Sequence, residues 1–370
     1  MSNKLISIIG TVGVPANYGG FETLVENLVR YHDASSLSDS VTVYCSSKSY
    51  VLKEPTYLSA NLKYIPLNAN GVQSVLYDIA SLLSAAINRT NVILLLGVSG
   101  AVALPLIRLV SSARIVTNID GIEWRREKWR GLGKYFLRFS ERMAVHFSHE
   151  VISDNDAIAE YLYKRYGADS YVVAYGGDHA VAVDAVPIDE CEVPNKYAFS
   201  VCRIEPENNV HMIVESFLSL DSYALVMVGN WDSSDYGKAI RDQYASHHNL
   251  FLVDPIYDLG KLKTLRSQAS FFVHGHSAGG TNPSLVEAMH FGRPIMAFDC
   301  NFNRSTTENK ALFFNSAESL IHLVENIDML VAEKVGQEML EIAKRRYTWD
   351  IVSEQYFSLC SSTKKAELSR

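Results

Sequence analysis

The chain has 370 residues, 48% hydrophobic and 20% charged, with a formal net charge of −7. That length suits two domains better than a single core, and the acidic balance excludes a general nucleic-acid binder. Five cysteines (Cys45, Cys191, Cys202, Cys300 and Cys360) lack CxxC spacing, which argues against a zinc ribbon or disulfide frame and for reduced thiols in a cytoplasm.

Met1 leads almost directly into an apolar strand, Leu5–Ile9, without a signal-peptide layout, so a cytoplasmic chain is expected. A glycine-rich loop over 11–20 and a helical pattern from Phe21 follow. The loop is not GxGxxG, so it does not read as a dinucleotide fingerprint. Its length and its Tyr18-Gly19-Gly20-Phe21-Glu22 string favour a functional loop over a plain βα turn.

Strands are predicted at 41–45, 62–65, 92–96 and 114–118, separated by helical stretches, which implies a parallel, doubly wound sheet. The apolar run 92–110 carries Gly97, Gly100, Pro105 and Arg108, and reads as strand, glycine turn and helix rather than a membrane span. Asp120-Gly121-Ile122-Glu123-Trp124 leaves the 114–118 strand at the sheet's carboxyl edge, where such folds bind ligands. Asp120 either faces a ligand there or caps the next helix.

Over 125–146, Trp129, Leu132, Phe136, Phe139 and Met143 form one apolar stripe, while Arg126, Arg130, Lys134, Arg138 and Arg142 recur every fourth position. Two readings stand: a basic amphipathic helix on an anionic membrane surface, or a core-facing stripe with a solvated basic face. Asp154-Asn155-Asp156 is a DxD string, but it starts a helix, so capping is expected to explain both aspartates and metal binding is not expected. The first domain is read as 1–180. The acidic, proline-bearing segment 181–196 is read as a linker, and 197–346 as the second domain.

The second domain opens with strand Tyr197–Val201, after which Arg203 is either a site cation or a surface arginine. Further strands are predicted at 224–229, Leu250–Val253, Phe271–His274 and Ile295–Phe298. His274-x-His276 lacks a nearby third ligand, so packing or hydrogen bonding is favoured over metal. A turn through Ala278, Gly279 and Gly280 then meets a helix opening at Thr281-Asn282-Pro283, with Asn282 as a side-chain N-cap and proline at its first turn. Free N–H groups and a positive dipole end suit a phosphate. Glu287, one turn in, leans back toward that end, where a ribose hydroxyl needs an acceptor. These features describe a nucleotide site. Residues 347–370 are read as a terminal helix from Tyr347-Thr348-Trp349-Asp350 and a frayed tail.

The 274–299 segment resembles the nucleotide-sugar motif of family 4 retaining glycosyltransferases. In that motif's glutamate pair the second falls on Glu287 and the first on Gly279, a departure from the common pattern. With Thr281-Asn282-Pro283-Ser284, this resembles bacterial rhamnosyltransferases of surface polysaccharide assembly. The family pairs an arginine with a lysine five residues later. Here these positions hold Arg203 and Asn208.

The resemblance implies a GT-B fold: two Rossmann-like domains facing across a cleft, with the terminal helix crossing back to the first. It implies a donor, dTDP-β-L-rhamnose, and transfer with retention to a lipid-diphosphate-linked glycan at the inner face of the membrane. No metal or other cofactor is expected. Asp120 and Arg203 take catalytic positions by this reading. Gly19, Gly20, Asn208, His276, Gly279, Gly280, Thr281, Asn282 and Glu287 surround the donor, and Tyr18, Glu123 and Trp124 face the acceptor. The competing expectations are a UDP-hexose donor, or a non-catalytic nucleotide- or glycan-binding protein.

Overall fold

Val92–Leu96 and Ala224–Val228 are buried at every position, as strands covered on both faces by helices must be. Two parallel sheets are built around such runs. The computed structural model describes residues 3–16, 19–119, 121, 122, 124, 131–190 and 192–362. Of the positions singled out from the sequence, Tyr18, Asp120, Glu123, Arg126, Trp129, Arg130 and Cys191 lie outside the described residues.

The chain forms two units, Met1–Ala174 with Trp349–Arg370, and Tyr175–Thr348. In the first, β1 (Leu5–Ile9), α1 (Gly20–Ala34), β2 (Ser40–Ser46), β3 (Thr56–Tyr57), β4 (Ala60–Ile65) and α2 (Gln73–Ile87) lead to β5 (Val92–Leu96). Then come α3 (Leu104–Val110), β6 (Arg114–Ile119), α4 (Leu132–Phe147), β7 (Glu150–Ser153), α5 (Asp156–Tyr166) and β8 (Tyr171–Val172). The sheet order is β3-β4-β2-β1-β5-β6-β7-β8, parallel except for the short β3, which pairs antiparallel with β4. Connections from β1 to β2 run one way along the sheet, and those from β4 through β7 the other. Right-handed crossovers therefore put α1 on one face and α2, α3 and α4 on the other.

The second unit runs through α6 (His179–Ala182), β9 (Tyr197–Val201), α7 (Val210–Leu218), β10 (Ala224–Val228), α8 (Asp235–Tyr244), β11 (Leu250–Val253) and α9 (Leu259–Gln268). It continues with β12 (Phe271–His274), α10 (Pro283–Met289), β13 (Ile295–Phe298), α11 (Asn301–Thr306), β14 (Leu312–Phe314), α12 (Ala317–Glu325) and α13 (Met329–Arg346). Its six strands are ordered β11-β10-β9-β12-β13-β14, with Phe217, Leu225, Trp231 and Phe271 in the core beneath α7. β3 and β14, short strands at the sheet edges, are absent from the sequence reading.

The last helix, α14 (Trp349–Ser361), returns to the first unit. Trp349, Val352, Ser353, Tyr356, Phe357 and Cys360 recur at helical spacing and are buried, each large apolar side chain contributing about 1.5–3 kcal/mol. Phe357 stacks on Tyr31 at 6.1 Å, and Asn118 donates a hydrogen bond to the Tyr356 hydroxyl.

The units divide at Ala174, ahead of the expected 180, because Tyr175-Gly176-Gly177 packs on α10. A Cβ on Gly177 would stand 2.7 Å from the Val286 carbonyl carbon. The segment expected as a linker is held along α9. Val186 N–H donates to Gly260 at 3.1 Å, and Lys263 donates to the Val181 and Val183 carbonyls.

On α4 the buried positions are Leu137, Ser140, Glu141 and Ala144. Leu132 is 88% exposed and Phe139 51%, so the apolar stripe does not face the core. No described helix is long and apolar enough to cross a membrane.

Candidate functional site

In the second sheet β9 and β12 are neighbours whose following connections run to opposite sides. Loops at such a switch point diverge and leave a crevice outside the strands' carboxyl ends. Both expected donor loops start there. The turn after β9 is closed by Asn208, whose side-chain N–H₂ donates to the Arg203 carbonyl at 2.8 Å. Asn208 is buried and shapes this turn in place of a second cation, while the Arg203 side chain is half exposed and 3.9 Å from Glu205. The two loops are tied together: Asn209 donates to the Gly275 carbonyl at 2.9 Å, and both Ser277 N–H and its hydroxyl donate to the Glu207 carbonyl.

Beyond Ser277 the chain turns through Gly279 at φ +118°, a conformation that side chains other than glycine rarely adopt. Gly280 and Thr281 are buried behind it, and α10 begins at Pro283. Asn282 occupies the N-cap position but makes no side-chain capping bond, contrary to expectation. Its oxygen stands 3.4 Å from where a Gly279 Cβ would lie, and its side-chain nitrogen is buried without a hydrogen-bond partner. The side chain is thus directed to the glycine turn instead of back onto the helix.

Glu287 is held by protein groups. Arg266, 3% exposed at the end of α9, donates to its Oε2, and His179 Nε2 is 3.4 Å from its Oε1. Burial works against the charge, but the Arg266 guanidinium and His179 outweigh it and keep the carboxyl below the usual glutamate range. Arg266 Nε and Nη1 have no hydrogen-bond partner.

His274 and His276 stack at 4.3 Å with their rings 6° apart. Burial, and then the neighbouring His276, push His274 well below the usual histidine range, so it is neutral, and its Nε2 has no hydrogen-bond partner. The His276 carbonyl accepts from Asn303 at 2.9 Å, and the Asn303 side-chain oxygen is also buried and unbonded. Among the described residues no three or more His, Cys, Asp or Glu side chains converge as a metal site. In the DxD string it is Asn155 that caps α5, accepting from Ala157 N–H at 2.9 Å, and Asp156 is the first helical residue. Neither aspartate is the cap.

In the first unit the switch point lies between β1 and β5. The loop after β1 is clamped by two carboxylates on successive turns of α1. Glu22 accepts from Val12 N–H at 2.7 Å and from the Thr11 hydroxyl at 3.1 Å, and Glu26 accepts from Ala16 N–H at 2.7 Å. Glu22 also fills the space beside Gly19, 1.8 Å from where a Cβ there would lie. Gly20 opens α1 with nothing near its missing side chain. Past β5, Ser99 donates to Asp78, and burial pushes this carboxyl up to about 7. The Trp124 indole N–H donates to Glu141 at 3.1 Å, and Lys134, Arg138 and Arg165 lie over its ring at 5.6, 5.6 and 5.3 Å.

Residues 190–347 match the family described as glycosyl transferases group 1, and residues 3–178 match a domain of unknown function, DUF1972. Among solved structures, sucrose-phosphate synthase from Thermosynechococcus elongatus is similar, with a TM-score of 0.77 at 15% identity over 96% of this chain and 98% of that one. Anabaena HepE in complex with UDP-glucose gives 0.72 at 14% identity over 97% and 100%. A glycosyltransferase from Rickettsia africae gives 0.71 at 11% over 97% and 98%. No curated protein matches the sequence. The fold is GT-B, and the match to glycosyl transferases group 1 covers residues 190–347.

Within this fold, the second unit brings together Arg203, Asn208, His276, Gly279, Gly280, Thr281 and Asn282, with Glu287 one helix turn behind. Gly19, Gly20 and Trp124 belong to the first unit. Arg266, His179 and Asn303 were not read from the sequence. Arg266 had one signal: a lone arginine among the apolar positions of an amphipathic segment.

Proposed function

We propose that this chain transfers a sugar from a nucleotide-sugar donor, held by its second unit, to a hydroxyl of a glycan acceptor. The observation that carries this reading is the switch point between β9 and β12. There two loops are tied together, one bearing Arg203, while polar atoms of His274, Asn282 and Asn303 on or behind the other are left without partners. Buried polar groups are ordinarily paired, so this set is suited to a polar ligand. The match of residues 190–347 to glycosyl transferases group 1 supports the same assignment.

Cleaving the bond between the sugar's anomeric carbon and the diphosphate leaves charge on the diphosphate. Arg203 and the backbone of the glycine turn supply positive potential for it. Glu287 accepts from a hydroxyl of the donor's pentose, and by the resemblance Asp120, outside the described residues, takes the catalytic position. Transfer proceeds with retention, the departing phosphate oxygen taking the acceptor's proton. No metal takes part.

The donor is dTDP-β-L-rhamnose and the acceptor a lipid-diphosphate-linked glycan at the inner membrane face. Both rest on the resemblance carried by Thr281-Asn282-Pro283-Ser284. A UDP-hexose donor is the second reading, favoured by the fold shared with a protein solved with UDP-glucose. A panel of dTDP-rhamnose, UDP-glucose and UDP-galactose, followed by calorimetry and by slow release of free sugar, separates these. Turnover of dTDP-rhamnose supports the first, and turnover of a UDP-hexose replaces it with the second. Binding without any sugar release would leave a nucleotide-binding protein that does not catalyse transfer.

A further inference from the structure

One layer of the first unit carries an unusual surface. α2, α3 and α4 lie on the same face of the sheet, α2 packed on α3 and α3 on α4. Their outward positions are apolar at helical spacing. On α2, Leu76, Leu83 and Ile87 follow one line, with Ile87 80% exposed. On α3, Leu106, Leu109 and Val110 point outward, Leu109 at 84%. On α4 it is Leu132, Tyr135 and Phe139. Soluble surfaces scatter such side chains singly, so three adjacent helices sharing them form a binding face.

The charges on the same helices are sorted. Arg89 at the end of α2, Arg108 on α3, and Lys134, Arg138 and Arg142 on α4 are all exposed. Every carboxylate in the three helices is buried. Asp78 is tied to Ser99, and Glu141 accepts from Tyr161, Tyr166 and Trp124. The sorting stops at α5, where Glu160 pairs with Lys164. In a chain of net charge −7, a face whose described residues include outward leucines and aromatics, five exposed cations and no exposed carboxylate is complementary to an apolar phase under a negative surface.

We propose that the outward face of α2, α3 and α4 docks on an anionic lipid bilayer, with its apolar side chains entering the headgroup boundary and its cations facing the lipid phosphates. All three helices share the contact. It rests on the reading above in one respect, the lipid-linked acceptor that makes such a surface useful. The contact itself is physical and is measured without any donor.

The test is co-sedimentation of the full chain with vesicles of equal parts phosphatidylglycerol and phosphatidylcholine, and with phosphatidylcholine alone, at low and high salt. Binding to the first, little to the second and weakening by salt are expected. Ile87→Ser with Leu109→Ser, both outside the unit that carries the donor loops, should reduce binding on the order of tenfold, and so should Arg89→Gln with Arg108→Gln. Calorimetry with the donor runs beside each variant. Donor affinity kept while vesicle binding falls supports the proposal, and vesicle binding without donor affinity leaves it standing while the glycosyltransferase reading fails. Wild-type binding by both α2–α3 variants would confine any contact to α4 and overturn the three-helix face. Failure of the wild type to bind anionic vesicles overturns it outright. So does a dimer in sedimentation velocity that Leu109→Ser dissociates without any vesicle binding, since the occupant is then a second copy.

Discussion

Arg266 and Glu287 share a buried ion pair across the gap between α9 and α10. The guanidinium is almost wholly out of solvent, and its remaining nitrogens find no hydrogen-bond partner. Beside the carboxylate, its one other partner among the described residues is the Phe291 ring, 5.9 Å away. Arg266 thus fixes where Glu287 stands, and His179 holds the other oxygen.

Glu287→Ala should therefore do two things. Loss of a charged hydrogen bond to the donor's pentose should weaken donor binding by about 1.5–3 kcal/mol. The stranded Arg266 should lower stability by about 3–5 kcal/mol. Replacing both residues, Arg266→Met with Glu287→Leu, should restore much of the stability and none of the affinity. Calorimetry and thermal unfolding report the two effects separately, and unchanged donor affinity would remove Glu287 from the site.

Gly279 sits where the resembling family has its first glutamate, and its φ of +118° makes any side chain strained. Gly279→Glu should cost about 1–3 kcal/mol of stability and not raise turnover. A faster enzyme with the same donor would show that the turn tolerates the family residue.

The DxD string starts a helix capped by Asn155, and the donor site is read as cationic. Sugar transfer is expected to continue in EDTA. Complete loss of activity, restored by magnesium or manganese, would refute a metal-independent reaction.

Asp78 and Glu287 make stability depend on pH in opposite senses. Burial raises Asp78 from its ordinary 3.8 to about 7, so its folded form is favoured with the proton on, and stability falls as pH rises through about 7. Burial opposes the charge of Glu287, but Arg266 and His179 depress it below 4.5, so its contribution is present above that pH and lost as pH falls further. Asp78→Asn keeps an acceptor for Ser99 and should add on the order of 2 kcal/mol at pH 8 and little at pH 4. Urea unfolding at the two pH values checks this. An equal effect at both would mean Asp78 does not titrate in the fold.

The apolar central strands were legible because an uninterrupted apolar run has few other places to go. Val92–Leu96, Tyr197–Val201, Leu250–Val253, Phe271–His274 and Ile295–Phe298 have the bounds that the pattern gives. β14, with three residues at a sheet edge, is too short to carry a period. On α4, periodicity revealed an amphipathic helix but not which side would be covered. The buried side includes Ser140 and Glu141, made tolerable by partners far away in sequence, such as Tyr161 and Tyr166. The glycine turn and the helix after it were legible as such. The ion pair behind them was not, since nothing in the local pattern around Arg266 marks a partner on another helix.

The return of α14 makes the first unit discontinuous along the chain, with the whole of Tyr175–Thr348 inserted before its last helix. During synthesis the inserted unit can complete its sheet while the earlier one still waits, Asn118 and Tyr31 facing the gap that Tyr356 and Phe357 later fill. The first unit, though its sheet is translated first, is thus the last to be completed. A chain stopped at Thr348 should show protease cleavage concentrated in residues 3–174, while residues 175–348 resist.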